Sequence, residues 1–398
     1  MRLQIILAIV YCFKAAPLVF FLLAMPIVLR LEGYSLIDVG LLQLASFPYM
    51  LKFIWAPFFD KNANEKNHYK RWIFIGGSLQ TAVIYSIGFL DIKAQLSGIF
   101  ALIFCAAIIA TFIDNAVDGI YIKMFEFGGR AFSSSAKAAA GYVANVIAVG
   151  GIVYFYKNLG WSGSMNVLAA LLCLALVVAS FIDENAQERR EQKGEFVLKN
   201  IYTFFKINGA KIWAFLIFIK SIAAWSILFM IKPMRVDFKL APEDIALING
   251  FFGVFVSILV SVVSMLPVSQ KFMLQRRKAL LLSAFLSTLG VLQILFLSAD
   301  AGLWAFYYCV GFLNLATSFS AIISSTIFMD FSRKNCGATD YSLQMCIASV
   351  APLSVSALSG FIVEKCGYAG FTQILCVIGI LAFILIYGLF SDKWVEGK

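Results

Sequence analysis

Charge is scarce in this chain. Asp, Glu, Lys and Arg make up 14% of its 398 residues, against about 25% in ordinary soluble domains. Histidine is scarcer still: His68 stands alone in a charged loop, so imidazoles cannot build a zinc site. The eight cysteines form no CxxC pair and lie mostly in apolar runs, which leaves them as small apolar side chains rather than a metal or disulfide framework. No glycine-rich phosphate loop of the Walker kind occurs, so ATP is not expected to act directly. Neither a metal nor a cofactor is expected. What the chain does hold is apolar: 61% hydrophobic residues, 39 of them Phe, and a mean hydropathy of +0.88. A water-facing surface could not carry that composition, so the chain is read as an all-α integral membrane protein.

Runs of about twenty apolar residues number twelve, near 3–25, 36–59, 72–91, 96–122, 138–156, 164–182, 211–231, 243–266, 279–299, 302–329, 339–363 and 368–391. The first continues into the rest without a small-residue cleavage site and reads as a retained helix. Connections are short except for the polar stretch 183–210. The expected organisation is a six-helix bundle over 1–182, a cytoplasmic linker over 183–210, and a second six-helix bundle over 211–398. With both termini cytoplasmic, only seven basic residues fall on the opposite side (Arg30, Lys93, Lys157, Lys232, Arg235, Lys239 and Lys365), which favours that orientation. The net charge of +10 is then a topology signal, a basic face for anionic lipid rather than for nucleic acid.

Five ionisable residues stand inside the apolar runs: Lys14, Lys52, Lys220, Asp114 and Asp118. A charge at the centre of a membrane helix costs about 2.5–3.5 kcal/mol on insertion scales. Such residues need partners, water or a solute. They point to the movement of a polar or charged molecule across the membrane.

The two halves repeat each other. FKAAPLVFFLLAM around Lys14 recurs as IKSIAAWSILFMI around Lys220, 206 residues on. SLIDVGLLQLASF recurs as APEDIALINGFFG, with Asp38 against Asp244. IATFIDNAVD matches LATSFSAIIS, setting Ser320 against Asp114, and LGWSGSMNVLAAL matches CGYAGFTQILCVI. Four matches in one order at a nearly constant spacing, 206 for three and 207 for the last, imply a parallel duplication. Twelve transmembrane helices in two pseudo-symmetric six-helix bundles is the organisation of major facilitator transporters.

The segment FFLLAMPIVLRLEGYSLIDVGLLQLASFPYMLKFIWAPFFDK resembles the first two spans of the AmpG-like branch of that superfamily. ATFIDNAVDGI and ATDYSLQMCIASVAPLSVSALSGFIVEKCGYAGF resemble the branch's fourth and eleventh spans, so the resemblance covers essentially the whole chain. The branch holds the AmpG muropeptide permeases, acetyl-coenzyme A transporters and RhtX/FptX siderophore importers. The order Ala24, Pro26, Leu29, Arg30, Gly33, Ser35, Leu36 is closer to the siderophore group. The resemblance therefore implies proton-coupled import across a bacterial inner membrane by alternating access, with a ferric siderophore as first substrate and an anhydro-muropeptide as alternative. A polytopic enzyme or a sensor is the alternative of another class; short outer loops and the lack of an intramembrane histidine speak against an enzyme. The partners expected are a small-molecule solute, protons and lipid, with the chain acting as a monomer.

Lys14 and Lys220 occupy equivalent depths and are candidate solute-binding cations, or else pair with backbone carbonyls or the aspartates. Lys52, Tyr49 and Trp225 join them as candidate binding residues. Asp114 and Asp118, four apart on one helix face, are candidate proton acceptors, or partners of Lys14 or Lys52; Asp118 also lies a turn from Lys123, near a cytoplasmic gate. Asp60 and Arg71 resemble the facilitator gating loop. Asp340, Gln344, Asn249, Asn314 and Gln43 either line the path or bond helix to helix.

Overall fold

A computed structural model describes residues 1–31, 33–34, 42, 46–185, 199–238, 244, 247–297 and 302–395. Asp38 and Gln43 lie outside the described residues, as does much of the linker, 186–198. Among the described residues the structure is helical, because an apolar chain in lipid must satisfy its backbone groups within each segment. Helical residues occur in each of the twelve expected segments. Eight helices among the described residues are long and apolar enough to cross a membrane, or nine if the bent pair Gly253–Met265 and Pro267–Met273 is one span.

Contacts divide the chain into two compact units. The first comprises Met1–Phe125, Ala139–Ile201 and Ser332–Ser342; the second comprises Glu126–Ala138, Tyr202–Phe331 and Leu343–Lys398. In the first unit the opening helix Arg2–Val19 widens into a π-helix over Phe20–Ala24 just after Pro17, whose missing N–H breaks the regular ladder. The long helix Leu96–Met124 runs through this unit with every residue from Ile113 to Lys123 buried. In the second unit Ile227, Ile231, Val291, Leu313, Phe371 and Leu375 form an apolar core. Trp213 stacks on Phe331 with centroids 5.8 Å apart and donates its ring N–H to Gln344 at 2.8 Å. Side chains such as Phe89, Phe255, Trp304 and Val377 are left exposed, as lipid-facing residues should be.

Two features repeat in both units. Gly160 (φ 63°, ψ −170°) and Gly367 (φ 69°, ψ 174°) break matching helices at matched positions of the sequence repeat. That backbone region is essentially reserved for glycine. Gly160→Ala or Gly367→Ala is therefore expected to cost about 1–3 kcal/mol, seen as a lower midpoint of thermal unfolding in detergent. Secondly, Glu184 accepts the backbone N–H of Lys70 at 2.9 Å, and Asp392 accepts that of Arg277 at 2.8 Å. In each case a carboxylate following the last helix of a half serves the exposed N–H groups at the start of its third helix.

Candidate functional site

In the first unit, four of the five intramembrane charges form one alternating chain. Asp114 and Asp118 stand one turn apart on Leu96–Met124. The Lys14 ammonium pairs with Asp114 Oδ1. Lys52, at the end of the short helix Phe47–Leu51, reaches Asp118 Oδ2 at 2.9 Å and Asp114 Oδ2 at 3.9 Å. The order is Lys14–Asp114–Lys52–Asp118, with each of these side chains 6% exposed or less. Two cations and two anions cancel, and that is how the cost of burying each is offset. Aromatic rings line the chain: Lys14 Nζ lies 4.6 Å from the Tyr11 centroid and 5.7 Å from that of Tyr49, and Lys52 Nζ lies 5.8 Å from that of Tyr341. The Tyr49 hydroxyl is buried without a hydrogen-bond partner.

In the second unit, Lys220 is 2% exposed and donates to Ser320 Oγ at 2.5 Å and Ser324 Oγ at 3.1 Å. The sequence repeat sets Ser320 against Asp114 and, four residues on, Ser324 against Asp118. Each lysine finds its first partner 100 residues along the chain. The duplication thus reproduces the contact while exchanging both carboxylates for hydroxyls. Lys52 is matched by Ile258. Among the described residues no carboxylate lies within ion-pair distance of Lys220. Trp225, a turn and a half beyond Lys220 on the same helix, is half-buried.

Each lysine has its own partners within its unit: Lys14 pairs with Asp114, the aspartate alternative of the sequence reading, and Lys220 donates to Ser320 and Ser324. Asp118 pairs with Lys52, and the Lys123 ammonium meets Glu184 at 2.6 Å and the Glu65 carbonyl at 2.7 Å. Asn314 accepts from Ser257 at 3.2 Å and Gln344 takes the Trp213 bond, so both act as helix-to-helix partners, whereas Asp340 binds Arg333 at 2.7 Å in the connection just before its own helix. The side chain of Asn249 lies outside the described residues.

Asp60 ends the short helix Ala56–Asp60 and is 7% exposed. It accepts four hydrogen bonds: Tyr69 OH at 2.7 Å, Ala338 N–H at 3.0 Å, and Thr339 N–H and hydroxyl at 2.8 and 2.6 Å. The last three come from the start of the helix Gly337–Leu389, where free N–H groups favour an anion. Burial pushes the Asp60 carboxyl up, to about 6, against these bonds, which pull it down. Gly119 gives the Tyr69 ring its place, since a Cβ there would collide with it. Arg71 is exposed and lies 4.0 Å from Glu65, with no bond to Asp60. Cys336 is 9% exposed in the segment that Asp60 holds, and burial pushes its thiol up to about 12.

Sequence reasoning passed over one ionic cluster. Asp330, fully buried, accepts from Arg276 at 2.7 Å and Arg130 at 3.2 Å; Arg276 also donates to the Phe127 carbonyl at 2.8 Å. Arg130 and Asp330 sit at the ends of apolar runs, where they read as solvated flanks. Asp330→Ala removes the carboxylate that two buried guanidinium groups share and should cost about 3–5 kcal/mol, visible as loss of monodisperse protein on size exclusion.

The duplicated helical membrane fold and the comparisons that follow make the chain a membrane transporter of the major facilitator class. Residues 35–236 match the BT1 family, and the chain belongs to it, within the AmpG-like branch of the superfamily. It is similar to the anhydromuropeptide permease of Escherichia coli K12, 22% identical over 354 residues that cover 86% of this chain and 70% of the relative. It is also similar to the putative transporter AmpG 1 of Rickettsia conorii, 23% identical over 387 residues, 89% and 90% of the two chains. Among solved structures, the fold matches the major facilitator transporter FucP (TM-score 0.73, 14% identity, 98% and 99% covered). It also matches a bacterial homologue of the iron transporter ferroportin (TM-score 0.70, 11% identity, 99% of both).

Proposed function

We propose that this protein is a proton-coupled importer of an anionic sugar–peptide solute of the anhydromuropeptide kind. It would act as a monomer in a bacterial inner membrane, with both termini cytoplasmic. The observation that carries the reading is the neutral Lys14–Asp114–Lys52–Asp118 chain, buried in a member of a transporter family. Protonating Asp114 would leave one ammonium uncompensated in a poorly solvated interior. An incoming anion would restore neutrality, so proton and solute would each favour the other's binding; that reciprocity is what coupling requires. Lys14 and Lys52 are the cations this step frees, and Tyr49, with its unpartnered buried hydroxyl beside Lys14, is a donor for the solute. Trp225 is proposed as an apolar contact. Transport would proceed by alternating access of the two six-helix halves, with Asp60 as a latch on the segment 332–342. Arg71 would support the loop through Glu65.

The similarity to the Escherichia coli anhydromuropeptide permease supports the sugar–peptide class over a ferric siderophore. The test is uptake into proteoliposomes. Labelled anhydromuropeptide should accumulate when the vesicle interior is made alkaline, and only equilibrate when it is not. Uptake of a ferric siderophore in its place would return the sequence's first substrate. Uptake of neither would end the proposal.

A further inference from the structure

Both carboxylates that neutralise the lysines of the first unit are serines at the matching positions of the second. Lys14 meets a carboxylate and Lys220 meets Ser320 at 2.5 Å and Ser324 at 3.1 Å. Hydroxyl dipoles orient an ammonium and satisfy its hydrogens, but they bring no charge. The first unit's cluster sums to zero, whereas Lys220 stands 2% exposed with no carboxylate within ion-pair distance among the described residues. A buried charge without a counter-ion destabilises the state that holds it, and the cost is removed by any ligand that brings the missing charge.

We infer that Lys220, Ser320 and Ser324 form an anchor for a solute carboxylate, and that serine in place of aspartate at 320 selects for anionic solutes. The two halves then divide the work: the half with its own carboxylates exchanges protons, and the half without them takes its anion from the solute. Ser320 and Ser324 hold the ammonium in position while it is empty. This inference rests on the transporter reading and adds to it the chemical group recognised.

The test installs the absent charge. Ser320→Asp recreates at Lys220 the pairing of Lys14 with Asp114. It should raise the midpoint of thermal unfolding in detergent by about 2 °C or more, because it neutralises a buried cation. Lys220→Met, which removes the cation at similar volume, should raise it as well. In proteoliposomes, Ser320→Asp should lower uptake of labelled anhydromuropeptide at least tenfold. An analogue with its carboxyl groups amidated should gain relative to the acid. If both variants unfold at lower temperature than the parent, Lys220 carries no uncompensated charge and the inference is overturned. It is equally overturned if Ser320→Asp takes up the acid as the parent does. If the parent takes up no muropeptide at all, the substrate reading fails, and the stability of the two variants still decides the inference.

Discussion

Asp114→Asn is expected to abolish accumulation of solute against its gradient while leaving exchange of solute across the membrane measurable. Asn keeps the size and one acceptor oxygen, so Lys14 retains a hydrogen bond but loses its counter-ion. Removing one partner of a buried pair costs about 3–5 kcal/mol. Applied to the coupling equilibrium, that is roughly two to four powers of ten. A purely structural role for the pair would predict the same loss of activity through loss of protein, so a second variant separates the two. Lys14→Met combined with Asp114→Leu removes both charges together, and a buried pair exchanged for apolar residues of similar volume is often neutral in stability. The double variant should return to the parent's yield of folded, membrane-inserted protein and still fail to accumulate solute. Recovery of both yield and accumulation would make the pair structural.

Asp60→Ala is expected to release the segment around Cys336. Four donors converge on this carboxylate, three of them from Ala338 and Thr339. Hydrogen bonds to a charged group contribute about 1.5–3 kcal/mol each; losing even one such contribution raises the open population about tenfold. In a protein whose other cysteines are replaced by serine, Cys336 should be alkylated slowly in the parent, because it is buried and its thiol is held at about 12. In Asp60→Ala the rate should rise tenfold or more, since exposure gives access and returns the thiol towards its ordinary acidity. Gly119→Leu should act in the same direction by driving the Tyr69 ring from its place beside Asp60. Equal alkylation rates in parent and Asp60→Ala would remove the latch.

Much of this is legible in the sequence. Apolar run length fixed where helices lie, because lipid permits few other backbone solutions. The internal repeat predicted that residues 206 or 207 apart do equivalent things, and Gly160 with Gly367, and Lys14 with Lys220, behave so. Charge in an apolar run singled out the five ionisable residues of the two lysine clusters. What sequence could not supply was partner choice. Lys52 lies within reach of two carboxylates, and only its direction from the end of Phe47–Leu51 selects Asp118 at 2.9 Å over Asp114 at 3.9 Å. Charges at the ends of runs, such as Arg130, Lys123 and Asp330, look solvated in sequence and are buried in the structure, since burial there depends on which helix end lies alongside. The serines were visible only through the repeat, which set Ser320 against Asp114; their bonds to Lys220 come from the structure.

The measurement that bears most directly on the whole account is proton movement on solute addition. Proteoliposomes in weak buffer, given anhydromuropeptide outside and no imposed gradient, should turn the medium alkaline as each solute carries a proton inward. With Asp114→Asn the same addition should leave the external pH unchanged although solute still exchanges. Alkalinisation of equal size in the variant would contradict the assignment of the buried lysine–aspartate chain as the coupling element.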